Sequence, residues 1–160
     1  MSITTASTRL DGDALEAWRG YLKSHAAILR VLDAELVAEH SLTTRDYEVL
    51  LHLSQAEGRH LAMSALAERT MLTRSGITRL VDGLVAAGLI ERLACPNDAR
   101  VSYAQLTDEG YEKLRAASRS HIAGVRRQFV ERFSDGELRT LAELLGRLPG
   151  AQPDGSCSVD

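Results

Sequence analysis

Cysteine is scarce in this chain of 160 residues: Cys95 and Cys157 are too few and too scattered for a disulfide framework or a Cys-x-x-Cys zinc site. A reducing compartment fits. No apolar run approaches the roughly 20 residues a bilayer span needs, and the N-terminus has neither a basic stretch nor an apolar signal core. The expected location is therefore cytoplasmic, with no membrane role. Catalytic patterns are missing as well. His25, His40, His52, His60 and His121 form no His-x-x-x-His pair, no glycine-rich phosphate loop occurs, and Ser75-Gly76 lacks the elbow pattern of a serine hydrolase. The expectation is no enzyme, no metal site and no cofactor.

What the chain does have is 44% hydrophobic and 26% charged residues, enough for one compact domain or a small domain with an added dimerisation element. The formal charge of −3 decides nothing about partners, because the local clustering of positive charge matters more than its sum. The fold class predicted from the periodicities is mainly α with a small β-hairpin. Over residues 13–40, Leu15, Trp18, Leu22, Leu29, Leu32 and Leu36 recur at steps of three, four or seven and stack on one helical face. A second helix follows Thr43 or Thr44 as N-cap, carries Tyr47, Leu50, Leu51 and Leu53, and ends near Gly58. Ser64 is the predicted cap of a short third helix. After an interruption at Met71-Leu72, Thr73 caps a fourth helix with Ile77, Leu80, Val81, Leu84 and Val85 as its buried stripe, stopped by Gly88.

Alternation in Leu89–Leu93 and again in Val101–Leu106 predicts two strands around an irregular tip at residues 94–100. Thr107-Asp108-Glu109-Gly110 then opens a long helix with Leu114, Ala117, His121, Val125, Phe129 and Phe133 on one face. Ser134 and Glu137 offer a capping box for a last helix striped with Leu138, Leu141, Leu145 and Leu148. Residues 149–160 are turn-rich and apolar-poor and are expected to be a disordered tail.

Two short helices joined by a tight turn and followed by a hairpin are the order of a winged helix-turn-helix. On the second of them Arg74, Ser75, Thr78 and Arg79 fall on the first two turns, away from the apolar stripe. Arginine bonds bidentately to guanine, and serine and threonine hydroxyls bond bases or phosphates. From Arg69 to Val81 there are three arginines and no acid, so the local field is positive although the whole chain is acidic. A merely solvated helix face is the alternative.

At these residues the chain resembles the MarR family, over about residues 14–148. The resemblance is carried by MSALAERTMLTRSGITRLVDGLVAAGLIER (Met63 to Arg92), PNDAR (Pro96 to Arg100) and AQLTDEGYEKL (Ala104 to Leu114). It implies a winged helix-turn-helix regulator, most simply a repressor, that binds double-stranded DNA at a pseudo-palindromic operator. The implied DNA-binding set is Ser64, Thr73, Arg74, Ser75, Thr78, Arg79, Asp98 and Arg100. In it the fourth helix enters the major groove, Arg100 enters the minor groove, and Asp98 orients that arginine. A salt-bridged hairpin tip is the other reading of Asp98 and Arg100. The resemblance further implies that residues 43–106 form the DNA-binding core within a 13–148 domain, and that helices in 13–40 and 107–148 interlock two copies into a homodimer. The wide apolar stripes of both terminal regions support a dimer independently.

Family members commonly bind small aromatic acids between the dimerisation helices and the winged domain. Here Trp18 and His25 lie nearly on one face seven residues apart, Arg19 sits at its edge, and Tyr47 on the second helix is a candidate to close a cleft. Two readings stand: Trp18 as core, His25 as an interface histidine and Arg19 as solvated, or these residues as the site of an aromatic carboxylate effector. Cys95 at the wing base is either inert or a redox switch, and a non-DNA interaction module on the same fold is the remaining alternative.

Overall fold

A computed structural model describes residues 9–95 and 98–150, with Ala99 as backbone only. The chain divides into two compact units between Ile122 and Ala123. In the first unit, helix α1 (Gly12–His40) runs for 29 residues, roughly 43 Å at 1.5 Å per residue. It is followed by α2 (Thr44–Gln55), a 3-10 turn (Glu57–Arg59), strand β1 (His60–Ala62), α3 (Met63–Arg69), α4 (Arg74–Ala86), β2 (Ile90–Cys95), β3 (Asp98–Leu106) and α5 (Asp108–Gln128), the last of which continues into the second unit.

Local chemistry explains the helix starts. Thr43 caps α2 reciprocally, its hydroxyl accepting the Asp46 N–H at 3.1 Å while the Asp46 carboxylate accepts the Thr43 N–H at 2.8 Å. Asp33 of α1 adds a second anchor at 2.7 Å to both the N–H and the hydroxyl of Thr44. Those two bonds hold the Asp33 carboxyl below its ordinary pKa, outweighing its partial burial. The α3 start differs from expectation: its N-cap is Ala62, with no side-chain bond, and Ser64 lies inside the helix. Strand β1 runs directly into α3, so the entering backbone is held by the sheet rather than by a capping hydroxyl.

The sheet has three strands in the order β1-β3-β2, all antiparallel, rather than the two expected. Leu61 pairs with Ala104 and Ile90 with Leu106. At the outer end the register shifts between Ala94 and Cys95, and Cys95 pairs with Asp98, so β3 starts three residues before the predicted Val101. The core gathers Leu36 of α1, Val49, Leu50 and Leu53 of α2, Leu66 of α3, Ile77, Val81 and Leu84 of α4, and Leu114 and Ala117 of α5. Each of the leucine, isoleucine and valine side chains withdrawn from water contributes about 1.5–3 kcal/mol, which is what seats α4 by its inner face.

The joint between wing and α5 explains the Leu-Thr-x-x-Gly pattern. The Thr107 hydroxyl donates to the Gly88 carbonyl at 2.8 Å and accepts the Gly110 N–H at 2.9 Å. Gly110 is buried against the Leu89 carbonyl oxygen and Leu106, where a Cβ has no room.

In the second unit α5 ends at Gln128, one turn short of the predicted stripe. Phe129 leaves the helical region at φ −129° and ψ −63°, a 3-10 turn (Val130–Arg132) follows, and the rings of Phe129 and Phe133 meet at 5.4 Å outside the helix. Helix α6 (Asp135–Leu145) has the predicted capping box, with the Ser134 N–H donating to Glu137 Oε2 at 2.8 Å. Those Ser134 bonds hold the Glu137 carboxyl below its ordinary range. Gly146 closes α6, so Leu148 stands beyond the stripe it was expected to extend. The predicted tail from Ala151 onward lies outside the described residues.

Candidate nucleic-acid interface

Helices α3 and α4 are joined at Thr70–Thr73, and α4 begins at an N-cap whose Thr73 hydroxyl accepts the Gly76 N–H at 3.1 Å. With its inner face committed to Ile77, Val81 and Leu84, the helix leaves Arg74, Ser75, Thr78 and Arg79 exposed. Those four, with Thr73 and Asp82, line a shallow, nearly flat groove along α4 that is wide open to solvent. The Thr78 hydroxyl donates to the Arg74 carbonyl at 2.8 Å, which leaves its oxygen lone pairs free to accept. Ser75 and Thr73 hydroxyls lie 3.3 Å apart.

A second groove of about 410 Å³ lies between α3, α4 and the wing, where Ser64, Arg74 and Thr78 face Arg92, Arg100 and Ser102. Seven of the eight residues expected at a DNA surface thus line one or the other of these two grooves, and Ser64, though misjudged as a cap, is among them. Asp98 stands apart: its Oδ1 accepts the backbone N–H of Arg100 at 2.9 Å, so the carboxylate braces the backbone at the start of β3.

Two charged groove residues, Arg92 and Asp82, stand outside the set expected from the sequence. Arg92 of β2 donates from Nε at 3.2 Å and from a terminal nitrogen at 2.8 Å to Asp82 Oδ1, and reaches the Thr78 carbonyl at 3.4 Å. The acid at Asp82 on an otherwise basic helix face is visible in the spacing, whereas Arg92 has no local signal because its partner lies on another element.

The residues considered for an effector fall into two places. Trp18, Arg19 and His25 lie exposed on α1, where the Tyr21 ring stands between Trp18 at 6.1 Å and His25 at 6.0 Å. Tyr47 is 8% exposed and faces α5, its ring 4.6 Å from that of His121 and its hydroxyl 3.3 Å from Ser118 Oγ. Tyr21, which the sequence reading passed over, belongs to the α1 row. Cys95 is a free, half-buried thiol. Among the described residues no group of His, Cys, Asp and Glu is arranged to hold a metal ion, and no helix is long and apolar enough to cross a membrane.

The MarR family model matches residues 40–101, which span α2 to the start of β3. Among curated proteins, the HTH-type transcriptional regulator PecS of Dickeya dadantii is 28% identical over 120 residues, 74% of this chain and 71% of PecS. The transcriptional repressor YetL of Bacillus subtilis is 30% identical over 111 residues, 69% of this chain and 66% of YetL. The homoprotocatechuate degradative operon repressor of Escherichia coli is 29% identical over 110 residues, 69% of this chain and 72% of that protein. Among solved structures, AbsC of Streptomyces coelicolor, a MarR family transcriptional regulator, is 34% identical with a TM-score of 0.80, covering 86% of this chain and 93% of AbsC. Sco3205 of the same organism, a MarR family regulator solved in complex with DNA, is 30% identical with a TM-score of 0.82, covering 89% of each chain. With the helix-turn-helix, the three-stranded wing and these likenesses together, the chain belongs to the MarR family: it is a winged-helix, DNA-binding transcription regulator and not an enzyme.

Proposed function

We propose that this regulator is a homodimeric repressor that binds a pseudo-palindromic operator through α4 and the wing and is released by a small aromatic carboxylate. The observation that carries the DNA-binding surface is the exposed row Arg74, Ser75, Thr78 and Arg79 on a helix whose other face is fixed in the core. In this reading the row enters the major groove, Ser64 and Thr73 contact the backbone, and Arg100, its backbone braced by Asp98, reaches the minor groove. Residues 43–106 then serve as the DNA-binding core, and helices in 13–40 and 107–148 as the dimerisation elements.

Support for the dimer comes from α1, where Trp18, Leu22 and Leu29 are 52%, 44% and 41% exposed in the single chain at steps of four and seven. Such a continuous apolar stripe on a regulator's longest helix is a surface to be covered. Two-fold symmetry of the covered dimer dictates two half-sites related by inversion, about one helical turn of DNA apart. The test is selection of duplexes from a random library by the full chain. Enrichment of an inverted repeat with centres about 10 base pairs apart is expected; a single asymmetric motif, or no enrichment, contradicts the proposal.

Support for the effector is chemical. The Trp18–Tyr21–His25 row offers stacked aromatic faces, and a guanidinium matches a carboxylate in fork geometry; Arg19 lies about 120° from His25 around α1, so an acid held by both draws on the two subunits of the dimer. A relative named for repression of a homoprotocatechuate degradative operon points to the same chemical class. Relief of repression requires that the acid bind the DNA-incompetent state more tightly than the competent one. Hydroxybenzoates and related acids should quench the single tryptophan, Trp18, and release the selected duplex, and Arg19→Ala should bind them at least tenfold more weakly, about the value of one charge-assisted bond. Equal binding by Arg19→Ala removes the effector proposal.

A further inference from the structure

Helix α4 carries one acid, Asp82, and that acid shares the open groove with Arg74, Ser75, Thr78 and Arg79. A carboxylate on a face that meets phosphates is repelled by them, and every other charged group of α4 is an arginine. Its partner comes from the wing: Arg92 directs two nitrogens at Asp82 Oδ1, at 2.8 and 3.2 Å, while the Thr78 carbonyl at 3.4 Å holds the same guanidinium over α4. As an exposed ion pair it adds little to folding stability. Its placement at the seam of the two grooves, with Arg92 lining one and Asp82 the other, gives it a different use.

We infer that Arg92 is a positioning residue for DNA binding, which neutralises Asp82 on the DNA-facing side of α4 and ties β2 to that helix, rather than a direct phosphate contact. The inference rests on the reading that this face of α4 meets DNA. Without Arg92, Asp82 becomes a bare negative charge facing the duplex. With Asp82 replaced by asparagine the acceptor oxygen remains, the bond to the Thr78 carbonyl remains, and the repulsive charge is gone.

The experiment measures affinity of the full chain for its selected duplex, across a salt series, in native protein and in Arg92→Ala, Asp82→Asn, the double variant and Arg74→Ala. Arg92→Ala is expected to bind about tenfold more weakly at 0.1 M salt, a loss that shrinks as salt rises. Asp82→Asn should bind no more weakly than native protein. The double variant should return to within about threefold of native affinity, with the native slope of log affinity against log salt, because no phosphate contact has been lost; a direct contact would lower that slope by about 0.9. Thermal melting of each variant within a few degrees of native separates these effects from misfolding.

Arg92→Ala binding as tightly as native protein, or a double variant as weak as Arg92→Ala with a reduced slope, overturns the inference. Asp82→Asn, which keeps an acceptor for Arg92, is an independent check: a tenfold loss there would also overturn it. Arg74→Ala is the control for the underlying reading. If it too binds as native protein does, the assignment of this face to DNA fails and Arg92 falls with it; if it weakens binding while Arg92→Ala does not, only the role of Arg92 is wrong.

Discussion

His121 of α5 is a half-buried imidazole. Its Nδ1 is buried with no hydrogen-bond partner among the described residues, and its ring lies against Tyr47. Burial pushes its pKa below the ordinary histidine value, opposed by the charge of Glu35 on α1. A depressed histidine pKa means that the unfolded chain takes up its proton first as the solution is acidified. The stability present above about pH 6.5 is therefore lost as pH falls toward the folded-state pKa. Melting temperature should drop between pH 7.5 and 5.5, and His121→Gln should flatten that dependence. An identical pH profile in the variant would show that this imidazole is not the group responsible. Gly110 carries a different residue-scale constraint, since the first turn of α5 presses on the Leu89 carbonyl. Gly110→Ala should cost about 2 kcal/mol or more in denaturant melts, because the neighbour in the way is backbone and cannot rotate aside.

At the scale of elements, α3 and α4 end in the same hydrogen-bond pattern with different residues at its pivot. For α4, Gly88 at φ +75° donates to the Val85 carbonyl and Leu89 to the Leu84 carbonyl. For α3, Met71 at φ +52° donates to the Glu68 carbonyl and Leu72 to the Ala67 carbonyl. This left-handed pivot suits glycine and costs a side-chain-bearing residue about 1 kcal/mol. Met71 is 86% exposed, so its side chain returns nothing by packing in the single chain. Met71→Gly should raise stability by about 0.5 kcal/mol, after the extra freedom of the unfolded chain is subtracted. Thr73→Ala, which removes the cap of α4, should lower it by about 1 kcal/mol.

These elements also mark what a reader of the sequence can and cannot see. Gly88, Thr73 and the Ser134–Glu137 box were legible because capping is local, set by residues within one turn of each other. Strand β1 was not, since three residues show no alternation and its pairing with β3 spans more than forty residues. The early start of β3 at Asp98 and the break at Phe129 were hidden for a related reason: register and helix ends there are decided by partners, not by periodicity. In the candidate site, the arginine and hydroxyl row on α4 was legible from helical spacing. The wing residue Arg92 was not, because its link to Asp82 crosses from one element to another.

For the molecule as a whole, the proposed dimer would tie assembly to DNA binding through the exposed stripe of α1. Leu22→Glu and Leu29→Glu place charges on that stripe and should yield monomers in sedimentation, with loss of tight operator binding because one half-site alone forfeits the second subunit's contacts. Dimers that persist in both variants would move the interface elsewhere. The central claim, that the outer face of α4 reads DNA and the wing supports it, is tested most directly by titrating the selected duplex with native protein, Arg74→Ala, Arg79→Ala and Arg100→Ala over a salt series. Loss of a base-reading arginine should cost about 1–3 kcal/mol and relax preference at one base position of each half-site. Arg100→Ala should weaken binding with little change in major-groove preference. Native affinity and native salt slope in all three folded variants would contradict the account.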